Sequence, residues 1–157
     1  MIRVQRSDFD PGAEISALTQ GRHDVGALTV FVGLVRDMAG EQRISSMELE
    51  HYPGMTEKML ERIEAEARER WALNDTLIVH RYGPLAPGER IVLVACTSTH
   101  RAASFEACEF LIDWLKTKAP FWKKEHGPDG DAHWVEARGS DDAAAARWNR
   151  KPGDAAE

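Results

Sequence analysis

Long apolar runs are scarce in this 157-residue chain. The longest, ALTVFVGLV at residues 27–35, falls far short of the roughly 20 residues a membrane-spanning helix needs. Cysteine is nearly missing too. Cys96 and Cys108 form no CxxC and no metal-type spacing, so both are expected to be core residues rather than nucleophiles. The patterns GxxxxGK[ST], GxGxxG and GxSxG do not occur, which removes the usual ATP and dinucleotide cradles and the nucleophile elbow of hydrolases. His23, His51, His80, His100, His126 and His133 make no HxxxH pair and have no carboxylate cluster beside them. Neither a metal site nor a resident cofactor is expected. Positive charge is in deficit: the formal net charge is −6 and the pI about 5.5. Nucleic-acid binding through bulk charge is therefore excluded, and an anionic ligand would need a local basic patch. The opening MIRVQRSDFD has no apolar centre of the signal-peptide kind, so a cytoplasmic protein with reduced thiols is expected.

An apolar content of 43% suffices for one ordinary core. Residues 1–150 are read as a single domain and 151–157 as a flexible tail. In DPGAEISALTQG, Asp10 caps a short helix, Pro11 opens it and Gly21 follows its end. GALTVFVGLVR reads as a buried strand, and residues 37–45 (DMAGEQRIS) as an exposed, mobile loop. In SMELEHY, Met47, Leu49 and His51 alternate with Glu48 and Glu50, as in a half-exposed strand. PGMTEKMLERIEAEARERW spaces Met55, Met59, Ile63 and Ala67 by four, with Leu60 and Trp71 alongside, which predicts an amphipathic helix. DTLIVHRYG and ERIVLVACTST are two strands joined by PLAPGE, read as a tight antiparallel link. FEACEFLIDWLKTKA predicts a second helix with Phe105, Cys108, Leu111, Ile112 and Leu115 on its apolar face, ended by Pro120. The loop EHGPDGDAH, a last short strand HWVEAR and a tail of one or two helical turns complete the chain. This order favours an α+β fold: a mixed, largely antiparallel sheet packed with helices.

Positive charge gathers in one place, LKTKAPFWKKE at residues 115–125, where Lys116, Lys118, Lys123 and Lys124 surround a proline and two aromatics. Two readings stay open on these residues alone. Lysines at a helix C-terminus suit the helix dipole, with Phe121 and Trp122 as buried anchors. Alternatively, Lys116 and Lys123 converge across the Pro120 turn, where partly desolvated ammonium groups suit proton transfer or pairing with an anion. In TSTHRAAS, His100 and Arg101 stand where a strand gives way to a helix start, a place that favours phosphate or carboxylate. Arg36 marks the junction of a buried strand and the loop after it.

Five blocks occur in order: LEHYPGMTEKM, HRYGPLAPGE, TSTHRAASFEAC, LKTKAPFWKKE and WVEAR. Together they resemble the large, catalytic subunit of molybdopterin synthase from about Gly26 to Trp148. The resemblance implies an α/β hammerhead fold with an added small β subdomain. It implies an enzyme that turns cyclic pyranopterin monophosphate (precursor Z) into molybdopterin. The two sulfurs would come from the C-terminal glycine thiocarboxylate of a small ubiquitin-like sulfur-carrier subunit, whose tail threads into a pocket of the large one. Two large subunits would form a homodimer at the centre of a heterotetramer. On this chain the resemblance places catalysis on Lys116 and Lys123. It places substrate binding on Leu34, Val35, Arg36, His100, Arg101, Lys116, Lys123, Lys124 and Glu125. Leu34 stands where close relatives carry a lysine, so contact there would fall to the backbone. A phosphate and a thiocarboxylate brought together need several cations to offset their repulsion, a role open to Arg36, Arg101, Lys116 and Lys123. The missing P-loop implies that another protein activates the carrier with ATP.

Two rival readings use the same residues. One is a non-catalytic binding module for a phosphorylated pterin or nucleotide, and the other an assembly partner whose groove receives a ubiquitin-like tail. Both predict little chemical consequence from removing Lys116.

Overall fold

The computed structural model describes residues 1–39, 42–135 and 139–149. The expected tail at 151–157 and the end of the expected HWVEAR strand lie outside them. In chain order the elements are β1 (Ile2–Gln5), α1 (Pro11–Thr19), β2 (Ala27–Leu34), β3 (Met38–Ala39), β4 (Gln42–Arg43), β5 (Ser46–His51), α2 (Met55–Arg70) and β6 (Asp75–Arg81). There follow β7 (Gly83–Leu85), β8 (Arg90–Ser98), α3 (Arg101–Thr117), β9 (Phe121–His126), β10 (Ala132–Trp134), α4 (Gly139–Ala146) and a short 3₁₀ turn at Arg147–Asn149.

Two four-stranded sheets carry the fold, ordered β1-β6-β8-β2 and β10-β9-β5-β7. Only the β1–β6 pair is parallel; every other pair in the two sheets is antiparallel. The first sheet is buried on both faces at its centre. Ile78, Val92, Val94 and Cys96 point into the main core with Leu60 and Ile63 of α2 and Phe110 and Leu111 of α3. Leu77, Val79, Leu93 and Ala95 pack on the opposite face with Phe9. This is the expected α+β architecture, with the second sheet as the small β subdomain. Among the described residues no helix is long and apolar enough to cross a membrane.

Local chemistry explains several boundaries. The Asp10 carboxylate accepts from the Gly12 and Ala13 amides at 2.8 and 3.3 Å, capping α1 as expected. Along α2 the expected Leu60, Ile63 and Ala67 are buried, and Trp71 with them, but at the start Thr56 lies inside while Met55 is 52% exposed. Thr56 tolerates burial because its hydroxyl donates to the Tyr52 carbonyl at 2.9 Å. Phe105 of α3, expected on the apolar face, is also exposed; Ser104 lies inside instead and donates to the Cys96 carbonyl.

Three expectations need correction. β6 and β8 do pair antiparallel, but PLAPGE is no tight hairpin: the chain detours between them to place Gly83–Leu85 against β5 in the second sheet. Its Pro84 has no N–H to offer, which suits an edge strand. The expected loop at 37–45 contains the β3–β4 ribbon, paired at Met38↔Arg43 and Ala39↔Gln42. The segment after Pro120 is not simply a turn with buried aromatics but a sheet strand. Its alternation leaves Trp122 49% exposed while Phe121 is half-buried. β1 was not foreseen at all, being four residues whose pairing partner lies more than seventy positions away. The expected C-terminal helical turns form, and they dock on α3. Arg147 pairs with Glu109 and Asp113 at 2.6 Å, and the Trp148 indole N–H donates to Asp113 at 2.7 Å.

Candidate functional site

The basic segment is built from a helix end, a tight turn and a strand. Leu115 is the last core residue of α3, and Lys116 beside it projects outward with a side chain 54% exposed. Its ammonium lies 3.9 Å from the Asp141 carboxylate of α4. The chain leaves the helix at Lys118, and Pro120 forbids another helical turn. The Phe121 amide bonds the Ala119 carbonyl at 2.8 Å, which makes the reversal compact.

β9 then runs antiparallel to β5, with Phe121 opposite His51, Lys123 opposite Leu49 and Glu125 opposite Met47. A strand sends successive side chains to opposite faces. Lys123 and Glu125 therefore share the face of the buried Met47 and Leu49, while Trp122 and Lys124 share the other with Glu50 and Glu48. The adjacent lysines thus part company. Lys124 sits 5.4 Å from the centre of the Trp134 ring. The Lys123 ammonium is 3.1 Å from Glu125 Oε1, and His133 Nε2 is 3.7 Å from Oε2 of the same carboxylate. Glu125 is buried, with its oxygens turned to these two cationic or protonatable groups rather than to open solvent.

Arg36 is exposed just beyond β2, in an open cleft of about 570 Å³ lined with Val35, Asp37, Met38, Pro87 and Gly88. Val35 packs with Met47, Leu49 and Leu85. Its amide donates to the Glu89 carbonyl at 2.9 Å, and its own carbonyl accepts from Gly88 at 2.8 Å. Val35 thus frames the cleft, while the exposed Leu34 and Arg36 face outward. Leu49, the register partner of Lys123, and Val35, the chain neighbour of Arg36, belong to one small apolar cluster.

His100 and Arg101 open α3, both exposed, and the His100 amide bonds the Ser98 hydroxyl at 3.3 Å. Arg101 and Lys116 stand at opposite ends of the same helix. At 1.5 Å per residue their backbones are about 22 Å apart. One chain therefore cannot bring both to a single phosphate.

Elsewhere, burial pushes the His80 imidazole down to about 4. Cys96 and Cys108 are free and buried, as their sequence context suggested, and the hydrogen bond between the thiols together with burial holds Cys96 far above the ordinary thiol range. Among the described residues no group of three or more His, Cys, Asp or Glu side chains could hold a metal ion. Sequence reasoning missed three neighbours of the site: Asp141 beside Lys116, His133 beside Glu125, and His80 against Phe121. Each pair is joined by folding, with no local spacing to announce it.

The scaffold is a two-sheet α+β fold with Arg36 just past β2, Arg101 at the start of α3, Lys116 near its end and Lys123 on β9. The family described as MoaE protein matches over residues 4–118, a span that includes Lys116 and stops short of Lys123. The molybdopterin synthase catalytic subunit of Mesorhizobium japonicum is 57% identical over 148 residues, covering 94% of this chain and 92% of its own. The structure of the molybdopterin biosynthesis MoaE protein from Burkholderia ambifaria matches with a TM-score of 0.80 at 54% identity, covering 96% and 99% of the two chains. That of molybdopterin synthase from Staphylococcus aureus matches with a TM-score of 0.78 at 33% identity, covering 85% and 96%. This chain belongs to the MoaE protein family.

Proposed function

We propose that this protein is the catalytic subunit of a molybdopterin synthase in molybdenum cofactor biosynthesis. It acts as a sulfurtransferase, converting precursor Z to molybdopterin with two sulfurs delivered as the C-terminal thiocarboxylate of a small ubiquitin-like subunit. The observation that carries the reading is Lys123, held against the buried Glu125 beside the apolar cluster that also holds Val35, the chain neighbour of Arg36. Family membership and relatives named as molybdopterin synthase catalytic subunits support it.

In this reading Arg36 and Lys123 take the substrate phosphate and the charge that develops on the pterin side chain. Lys116, the more exposed lysine, polarises the thiocarboxylate carbonyl or moves protons while sulfur attacks the side chain. Each thiocarboxylate gives up its sulfur and, with oxygen from water, returns as a carboxylate. Glu125 acts through Lys123, keeping the ammonium in place, and does not itself meet the substrate. Lys124 lies on the other face of β9 and contributes positive potential near the entry rather than a contact. The separation of Arg101 from Lys116 along α3 supports a homodimer in which His100 and Arg101 serve the site of the second copy. One carrier subunit at each end completes a heterotetramer, and the assembly works in the cytoplasm.

The test mixes this protein with a thiocarboxylated small subunit and precursor Z and looks for the dithiolene product. Formation of product by wild type and its loss in Lys116→Ala are expected. Normal turnover by Lys116→Ala would sink the catalytic assignment.

A further inference from the structure

The Pro120 turn separates the two lysines, and something must hold it. His80 lies on β6, a central strand of the first sheet, with 7% of its surface exposed. Its Nδ1–H donates to the Arg81 carbonyl at 2.8 Å, which orients the ring. The ring then stacks flat on Phe121, with centroids 3.7 Å apart and planes 15° apart. Phe121 is the residue immediately after Pro120 and two before Lys123. On the second sheet, His51 lies 6.1 Å from Phe121 and 4.4 Å from the Tyr82 ring, so the stack continues into a row of rings at the junction of the two sheets.

We propose that His80 is a positioning residue: its stack on Phe121 ties the Pro120 turn to the first sheet and so sets where Lys123 stands relative to Lys116. This rests on the assignment of those lysines under the proposed function. A flat ring suits the place better than an aliphatic chain. A planar ring lies parallel against the Phe121 face and adds an aromatic pair interaction to the area buried, which a branched aliphatic chain does not supply. Among the described residues the other ring against Phe121 is His51 of its own sheet, so His80 is the ring contact that joins Phe121 to the first sheet, beside its packing on the main core cluster.

The experiment compares wild type, His80→Phe and His80→Leu, with the thiocarboxylated small subunit and precursor Z as substrates. Thermal unfolding is followed alongside, and limited acetic anhydride labelling of Lys123 and Lys116 is mapped by mass spectrometry. His80→Phe retains the ring and is expected to turn over within about threefold of wild type. His80→Leu is expected to lose about tenfold or more in kcat with KM little changed, and to alter the Lys123-to-Lys116 labelling ratio while still unfolding cooperatively. Wild-type turnover and labelling in His80→Leu overturn the proposal, and so does an equal loss in both variants that follows their Tm. If wild type itself makes no dithiolene, the functional reading fails, and the labelling ratio alone then decides the positioning role. Should His80→Leu not fold, Phe121→Leu removes the other ring and is read by the same criteria.

Discussion

On β9 the Lys123 ammonium and the Glu125 carboxylate sit 3.1 Å apart, two positions along one strand and on one face of the sheet. The carboxylate is buried and the lysine about one-third exposed, so the pair straddles the boundary between core and cleft. A buried carboxylate without a partner is costly, and the strand geometry supplies one from its own next-but-one neighbour.

Glu125→Gln keeps the shape and removes the charge. It is expected to cost about 1–3 kcal/mol of stability, because the charge-assisted contact between Lys123 and position 125 becomes an ordinary hydrogen bond at a buried site. A lower Tm in thermal unfolding checks this. Turnover should fall as well, since Lys123 is then free to swing away. Unchanged Tm and turnover would show that the ion pair does not hold Lys123.

Lys116→Ala removes an exposed side chain whose one ion-pair partner given by the structure, Asp141, is 3.9 Å away. Its effect on stability should stay within about 0.5 kcal/mol. Its effect on dithiolene formation should be roughly 10²-fold or more, the scale of a lost acid–base or polarising group. Circular dichroism and pull-down of the carrier subunit separate the two effects. Weakened carrier binding with normal maximal rate would favour the assembly-only alternative.

Gly26→Ala probes the frame that launches α3. A Cβ at Gly26 would lie 2.2 Å from the Thr99 carbonyl oxygen, a backbone atom that cannot step aside. The Gly26 amide bonds the Ser98 carbonyl at 3.0 Å, so the clash falls where β8 hands over to His100 and Arg101. A loss of about 1–3 kcal/mol is expected from overpacking, visible as a lower denaturation midpoint with unchanged m-value.

His80 makes stability depend on pH. Its pKa is pushed down to about 4 in the folded protein, while the unfolded chain restores about 6.5. Between those values the unfolded state binds more protons, so stability rises with pH there. The contribution is complete above about pH 6.5 and is lost as pH falls to about 4, a difference of about 3 kcal/mol. Urea midpoints measured across this window should fall less steeply in His80→Phe, which has no proton to take up. Equal slopes would refute the burial of a neutral imidazole.

Much of the fold could be read directly. The caps of α1, the strand–helix alternation and the core role of both cysteines follow from local spacing and capping chemistry. The helix faces were legible to within one position, and the slip at Met55 and Phe105 came from polar residues that bury by bonding backbone carbonyls. β1 and the departure of β7 into the second sheet were not legible, because a short strand is defined by a distant partner rather than by its own residues.

The candidate site divides along the same line. That lysines, a proline and aromatics cluster at residues 115–125 is a property of the chain, as is the helix stop at Pro120, whereas the strand that follows it was not read from the sequence. Pairing with β5 decided which of those side chains turns inward, and so separated Lys123 from Lys124 and buried Glu125. Packing across some forty residues set His80 against Phe121. The length of α3 decided that Arg101 and Lys116 stand apart. Residue identity sets the charges and where helix and strand begin, because those depend on near neighbours. Which charges meet depends on register and on the contact of two sheets, and these exist only once distant segments have packed.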